Sequence, residues 1–120
     1  MSIYAYEDKA TEDIDKAAIY RLHAAFCKNL ADANRLLIID ILGDGELPVG
    51  EIAQKLVLPQ SNVSKHLALM RERGLVVTRR EGANIYYRLS DARISEAIRL
   101  LKKIHIEQIE KQSTLARKSV

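Results

Sequence analysis

The stretch PQSNVSKHLALMRERG, residues 59–74, holds the residues with the clearest chemistry. At helical spacing Val63, Leu67 and Met70 recur at i, i+4, i+7 and make an apolar stripe. Ser61, Ser64, Lys65 and Ala68 fall on the opposite side. A solvated helix face usually carries long Glu and Lys side chains. Short polar groups with one Lys instead let a backbone approach a groove and offer donors and acceptors to base edges. The plain alternative is a surface helix that is serine-rich at its start. His66 borders the apolar stripe and reads as a structural histidine that satisfies a backbone group. Two further sets are chemically competent. Arg79 and Arg80 are adjacent cations suited to phosphate, or a solvated charge pair. His23 and Cys27 lie at i, i+4, where side chains on one helix meet. A glycine-rich phosphate loop, a nucleophile elbow and paired carboxylates are all missing, so no enzyme is expected.

Those residues have to be positioned by a small chain. Its 120 residues suit one domain, and 48% hydrophobic content is enough for a core. The net charge of +3 is unevenly spread. Residues 59–90 set six cations against Glu72 and Glu81, a net +4, and the rest of the chain sums to −1. Concentrated positive charge beside the serine-faced helix is the footprint of a phosphate-binding surface. One cysteine excludes an internal disulfide framework and fits a reducing cytoplasm. The apolar run RLLIIDIL is far too short to span a membrane, and the acidic N-terminus has no signal-peptide layout.

Taken in order, residues 1–10 read as a flexible acidic segment, residues 11–112 as the folded domain and residues 113–120 as a flexible basic tail. A first helix is expected from Thr11 or Glu12 to Leu30, with Thr11 as cap and Ile19, Leu22, Phe26 and Leu30 as its apolar row. Asp32 caps a second helix, Ala33 to Leu42, whose centre from Leu36 to Ile39 is apolar on nearly all sides and reads as buried. GDGE ends it. Leu47 to Val49 is extended, since Pro48 disfavours helix. A short helix from Gly50 to Leu56 precedes the Pro59 helix, which Gly74 closes. Two short helices joined by a tight turn, the second with a polar face, describe a helix-turn-helix. LVVTRR and IYYRL then read as strands around an EGAN turn, with Gly82 and Asn84 tolerant of positive φ. This hairpin is a wing. Ser90 or Asp91 caps a last helix reaching about Lys111. Ile94, Ile98, Leu101 and His105 form one row along it, flanked by Ala97 and Ile104, too long for so small a domain to cover. A second copy would cover it. The expected fold is mainly α with a small β-hairpin wing: a winged helix-turn-helix of five helices.

The segment GELPVGEIAQKLVLPQSNVSKHLALMRERGLVVTRREGANIYYRLSD resembles the ArsR/SmtB-type winged-helix repressors of bacteria and archaea. ANRL before the second helix, S-x-x-S-x-HL in the Pro59 helix, the GLV after it, RREG in the wing and the closing YRLSD carry the likeness, over roughly residues 26–91. The resemblance implies a homodimer through the first and last helices. It also implies binding to an inverted-repeat operator in double-stranded DNA and a block on transcription until an effector releases it. Gln60, Ser61, Ser64 and Lys65 stand where members of the family read bases, and Arg79, Arg80 and Asn84 stand in the wing. Gln60 could pair with adenine, Lys65 with guanine O6 or N7, and the serines with several edges. Arg35, in ANRL, suits capping or pairing better than ligand binding.

The sensing half departs from the family. Where members carry two thiolates in an ELCVC-type segment this chain reads ELPVG, and Pro48 and Gly50 have no ligand atoms. Of the family's last-helix metal site, Asp91 and Glu107 could match, but Arg93 and Ile104 replace the histidines. His105 is one residue out of register, about 100° around the helix. No metal or cofactor is therefore assigned at either site. His23, Cys27 and His105 could together make a soft site across the dimer, since the resemblance sets the first and last helices near each other. Cys27 could equally be a thiol switch or a small core residue. A winged helix used for protein contacts is the remaining alternative class, which the positive balance of residues 59–90 disfavours.

Overall fold

The computed structural model describes residues 15–118. Among the described residues five helices and three strands follow the expected order: α1 (Lys16–Leu30), α2 (Ala33–Leu42), β1 (Glu46–Pro48), α3 (Val49–Leu56), α4 (Gln60–Glu72), β2 (Val76–Glu81), β3 (Asn84–Leu89) and α5 (Arg93–Lys118). The first compact unit ends at Asp32, and its described part is essentially α1; the second begins at Ala33 and holds every other element. The proposed Thr11 cap and the acidic segment 1–10 lie outside the described residues. Within them Asp15 caps α1, accepting a hydrogen bond from the Ala17 N–H at 3.4 Å. The apolar row of α1 is only partly covered: Ile19 and Leu30 are half-buried, whereas Leu22 is 70% exposed.

In the second unit the core is built from every helix of the helix-turn-helix and the inner ends of the strands. Ile38, Ile39 and Leu42 come from α2, Ile52 and Ala53 from α3, and Val63, Leu67 and Met70 from α4. Leu75, Val76 and Leu89 close it from the hairpin side. Burying each large side chain contributes about 1.5–3 kcal/mol, so the predicted stripe on α4 is what holds that helix down. The centre of α2 is less enclosed than expected. Ile38 and Ile39 are fully buried, but Leu37 is 46% exposed and lines an open groove between α2 and α5.

Both turns that end α3 and α4 use the same device. The N–H of Leu75 donates to Met70 C=O at 2.8 Å and that of Gly74 to Arg71 C=O at 3.1 Å, with Gly74 at φ 76°. The N–H of Leu58 donates to Ala53 C=O at 3.0 Å and that of Val57 to Gln54 C=O at 3.3 Å. These are Schellman caps, whose left-handed position normally takes glycine. In the turn of the helix-turn-helix that position is Val57, at φ 54°, with its side chain 87% exposed.

The extended piece before α3 joins the hairpin as a third strand, giving the antiparallel order β1-β3-β2. Glu46 pairs with Arg88 and Pro48 with Tyr86, while Arg79 also lies opposite Tyr86 from the other side. The turn is tighter than EGAN. Glu81 pairs with Asn84, leaving Gly82 and Ala83 as a two-residue loop with Gly82 at φ 61°, the pattern of a type II′ hairpin. Asn84 belongs to the strand, and among the described residues Val57 is the non-glycine with positive φ.

The last helix runs past the expected stop near Lys111 and continues to Lys118, while residues 119 and 120 of the expected tail lie outside the described residues. No Gly or Pro interrupts residues 111–118, most of which are good helix formers. Thr114 is absorbed by donating its hydroxyl to Glu110 C=O at 2.9 Å. At its start Asp91, and not Ser90, covers the helix. Asp91 Oδ1 accepts from the Arg93 N–H at 2.9 Å, while Ser90 Oγ donates to Leu75 C=O.

Candidate nucleic-acid interface

Helix α4 separates its two faces cleanly. Val63 and Leu67 are completely buried and Met70 is nearly so; Gln60, Ser61, Ser64, Lys65 and Ala68 are exposed. The side chains of Gln60, Ser61, Ser64 and Lys65 form no hydrogen bond or ion pair among the described residues, so their polar atoms are presented outward. Pro59 precedes the helix and supplies no side-chain cap, leaving first-turn N–H groups available to an acceptor. His66 sits at the border of the two faces, half-buried, and its Nδ1 accepts from Arg35 Nε at 3.5 Å. The pairing role expected of Arg35 is met by His66, whose partner here is that side chain in place of the backbone group expected.

Gln60 and Asn84, 24 positions apart in the chain, line the same cleft. It measures about 410 Å³ and is bounded by Pro48, Val49 and Gly50 at the start of α3, Gln60 at the start of α4, and Ala83, Asn84, Ile85 and Tyr87 on the wing. At Gly50 an added Cβ would meet Gln60 Oε1 at 3.6 Å, an ordinary contact.

The two wing arginines have different situations. Arg80 is exposed on the strand face it shares with Val76 and Thr78, opposite Ile85, and holds no ion pair among the described residues. Arg79 points to the other face and is fully engaged. Its Nε lies 3.1 and 3.2 Å from the two Glu46 carboxylate oxygens, its Nη2 2.5 Å from Glu46 Oε1, and its Nη1 2.7 Å from Glu81 Oε2. The guanidinium carbon stands 4.7 Å from the centre of the Tyr86 ring. The Arg79 hydrogen bonds hold the Glu46 carboxyl below its usual range, and Arg88 adds to this electrostatically. Arg79 is bound to two carboxylates and is neither a bare phosphate donor nor one half of a solvated arginine pair, and a DNA contact from it would require breaking this network. Nothing local in the sequence marks Glu46 as its partner, 33 residues away.

The predicted row on α5 divides. Ile94 and Ile98 are half-buried within the unit, and the exposed apolar surface begins with Leu100 (59%) and Leu101 (62%) and continues through Ile104, Ile109 and Leu115. Ile98, Leu101, Ile104 and His105 line an apolar groove of about 730 Å³ whose opposite wall is Ala33, Leu36 and Leu37 of α2. Arg99 closes one side by donating to Asp40 Oδ1 at 3.1 Å and to its backbone C=O at 3.0 Å.

Of the possible sensor residues, Cys27 and His23 meet on α1: Sγ lies 3.6 Å from Nε2, and both are exposed. His105 stands on α5. Among the described residues no three His, Cys, Asp or Glu side chains gather as metal ligands. Asp91, one of the two carboxylates that could match the last-helix site, is bound to Arg93, Nη2 to Oδ2 at 2.6 Å, which pulls its pKa down to about 2.

The sequence pattern of the family described as "Bacterial regulatory protein, arsR family" matches residues 32–78. The transcriptional activator HlyU of Vibrio cholerae is 41% identical over 80 residues, 67% of this chain and 74% of that protein. A biofilm growth-associated repressor of Xylella fastidiosa is 36% identical over 102 residues, 85% of this chain and 87% of its own. Among solved structures, reduced HlyU superposes with a TM-score of 0.66 at 38% identity, covering 73% of this chain and 93% of that one. A homodimeric winged helix-turn-helix DNA-binding domain from Mycobacterium bovis superposes with a TM-score of 0.69 at 33% identity, covering 80% and 89%.

Proposed function

The chain belongs to the arsR family of bacterial regulatory proteins and is a DNA-binding transcriptional regulator; we propose that it works as a homodimeric repressor on an inverted-repeat operator. The observation that carries this reading is the outward face of α4. Gln60, Ser61, Ser64 and Lys65 are exposed and unengaged on a helix whose opposite side is wholly buried. In this reading α4 enters the major groove and those four side chains meet base edges. Arg80 and Asn84 on the wing meet the flanking backbone or minor groove. Repression is favoured over activation because the repressor from Xylella fastidiosa matches over more of both chains than the activator does.

Two features support the dimer. Leu22 and Phe26 of α1 and the stripe from Leu101 to Leu115 on α5 are exposed apolar surfaces, and the related Mycobacterium bovis domain is homodimeric. The long α5 stripe suits burial against the same stripe of a second copy. No helix among the described residues is long and apolar enough to cross a membrane, and we assign the protein to the cytoplasm, with the DNA. Effector release in this reading does not use the family's two familiar metal positions. Pro48 and Gly50 offer no donors, and Asp91 is committed to Arg93. The contact between Cys27 and His23 favours a second reading, in which an oxidant or a soft metal acts on that exposed thiol.

The test is selection of bound sequences from random duplex followed by footprinting. Two half-sites, their centres about one helical turn (~34 Å) or a multiple apart, are expected. One asymmetric half-site per dimer would reject the inverted repeat. Binding indifferent to salt would reject the DNA reading in favour of a protein-interaction module.

A further inference from the structure

Arg79 stands on one edge strand of the sheet and Glu46 on the other, with β3 between them. The arginine reaches across the central strand. Its guanidinium lies over Tyr86, takes both Glu46 oxygens on the far side and holds Glu81 on its own strand. Tyr86 is in register with Arg79 on one side and Pro48 on the other, so the brace ties all three strands on a single face. All three guanidinium nitrogens are occupied, and two carboxylates more than offset its charge. A phosphate would have to displace one of them.

What the brace connects matters more than what it neutralises. β1 runs without a break from Pro48 into Val49, the first residue of α3 and so of the helix-turn-helix. β2 and β3 are the wing. A link from β2 to β1 therefore sets the wing relative to α3 and α4, and with it the distance from Arg80 to Lys65. We propose that Arg79 is a positioning residue for DNA binding. Clamped to Glu46, it holds the wing at the angle where Arg80 reaches the backbone as α4 enters the groove. The inference rests on the DNA-binding reading of α4 and the wing.

A positioning role and a phosphate contact predict opposite signs. Glu46 is an acid beside a DNA-facing surface, so on charge alone its removal should tighten binding. If it anchors the brace, its removal should weaken binding. The experiment measures operator and random-duplex affinity across a salt series for the intact chain and for Glu46→Gln, Arg79→Ala, Arg79→Lys, Arg80→Ala and Lys65→Ala, with thermal melts of each. Glu46→Gln keeps shape and tests the brace even where Arg79→Ala folds poorly. The expected result is an operator affinity about tenfold weaker for both Glu46→Gln and Arg79→Ala, with the slope against salt unchanged. Arg79→Lys should not rescue, since an ammonium cannot grip a carboxylate as a fork. Arg80→Ala should lower the slope by about 0.9 for each copy. Tighter binding by Glu46→Gln, rescue by lysine, or a slope loss on Arg79→Ala equal to that of Arg80→Ala would overturn the proposal. If Lys65→Ala and Arg80→Ala both leave affinity and slope untouched, the DNA-contact reading fails and the brace falls with it.

Discussion

The Nε of Arg35 donates to Nδ1 of His66 at 3.5 Å, joining α2 to α4 through side chains 31 residues apart. The pair lies at the border between the buried and presented faces of α4, so it resists rolling of that helix about its own axis. His66→Ala should lower stability by about 1 kcal/mol, the usual cost of one such bond, in urea denaturation. It should also weaken operator binding. An unchanged denaturation midpoint would mean the pair is incidental.

Ser64 and Lys65 should contribute to sequence preference. Either residue replaced by alanine is expected to cost roughly 1–3 kcal/mol on the operator and to relax discrimination. Competition between operator and random duplex checks this. Equal losses on both DNAs for Lys65→Ala would mean that the lysine touches phosphate alone.

Val57 occupies a left-handed position with its side chain in solvent. A β-branched residue there is strained by roughly 1–2 kcal/mol, and no buried contact offsets it. Val57→Gly should therefore stabilise the protein, by about 1 kcal/mol after the extra chain entropy of glycine. Thermal melting is the measurement. A lower melting temperature would indicate that Val57 is buried in the functional assembly.

Asp91 should make stability depend on pH in the acid range. Its carboxyl titrates at about 2 in the folded chain, below the roughly 3.9 of an unfolded aspartate. Its contribution is therefore complete above about pH 4 and is lost as pH falls through about 2. Urea melts of Asp91→Asn should be weaker than wild type at pH 5 and converge on it as pH drops towards 2. A constant gap would place the acid sensitivity elsewhere.

Leu101 is 62% exposed in the single chain, so a charge there is solvated unless a partner covers it. Leu101→Glu should yield a folded monomer and not an unfolded protein, because the burial it disrupts is intermolecular. Sedimentation with circular dichroism reads both properties. A wild-type protein that is monomeric at micromolar concentration would remove the dimer from the proposal.

Local periodicity was enough to find the helices and the stripe of α4, because Val63, Leu67 and Met70 are buried for the same reason that they recur. Gly74 was legible for a similar reason: a helix end there requires positive φ. What escaped the sequence was either tertiary or permissive. The partner of Arg79 is Glu46, and no spacing rule links residues on opposite edges of a sheet. The end of α5 was missed because residues 111–118 contain no breaker, and polar composition reads as a tail even where it continues a helix. Val57 defied its propensity: the cap is enforced by the backbone bonds to Ala53 and Gln54, not by the residue at the turn. The charge of Arg79 and Arg80 was visible, but their different roles follow from strand alternation and from which face meets Glu46.

The residues that anchor α4 and those that it presents are separate sets. Val63, Leu67 and Met70 hold the helix, and Gln60, Ser61, Ser64 and Lys65 take no part in the interior. A lineage carrying this scaffold can exchange the presented set one residue at a time, drifting towards new target sequences without repacking anything beneath. On the major-groove reading proposed for α4, regulators of this build can thus diverge in address while keeping one interior.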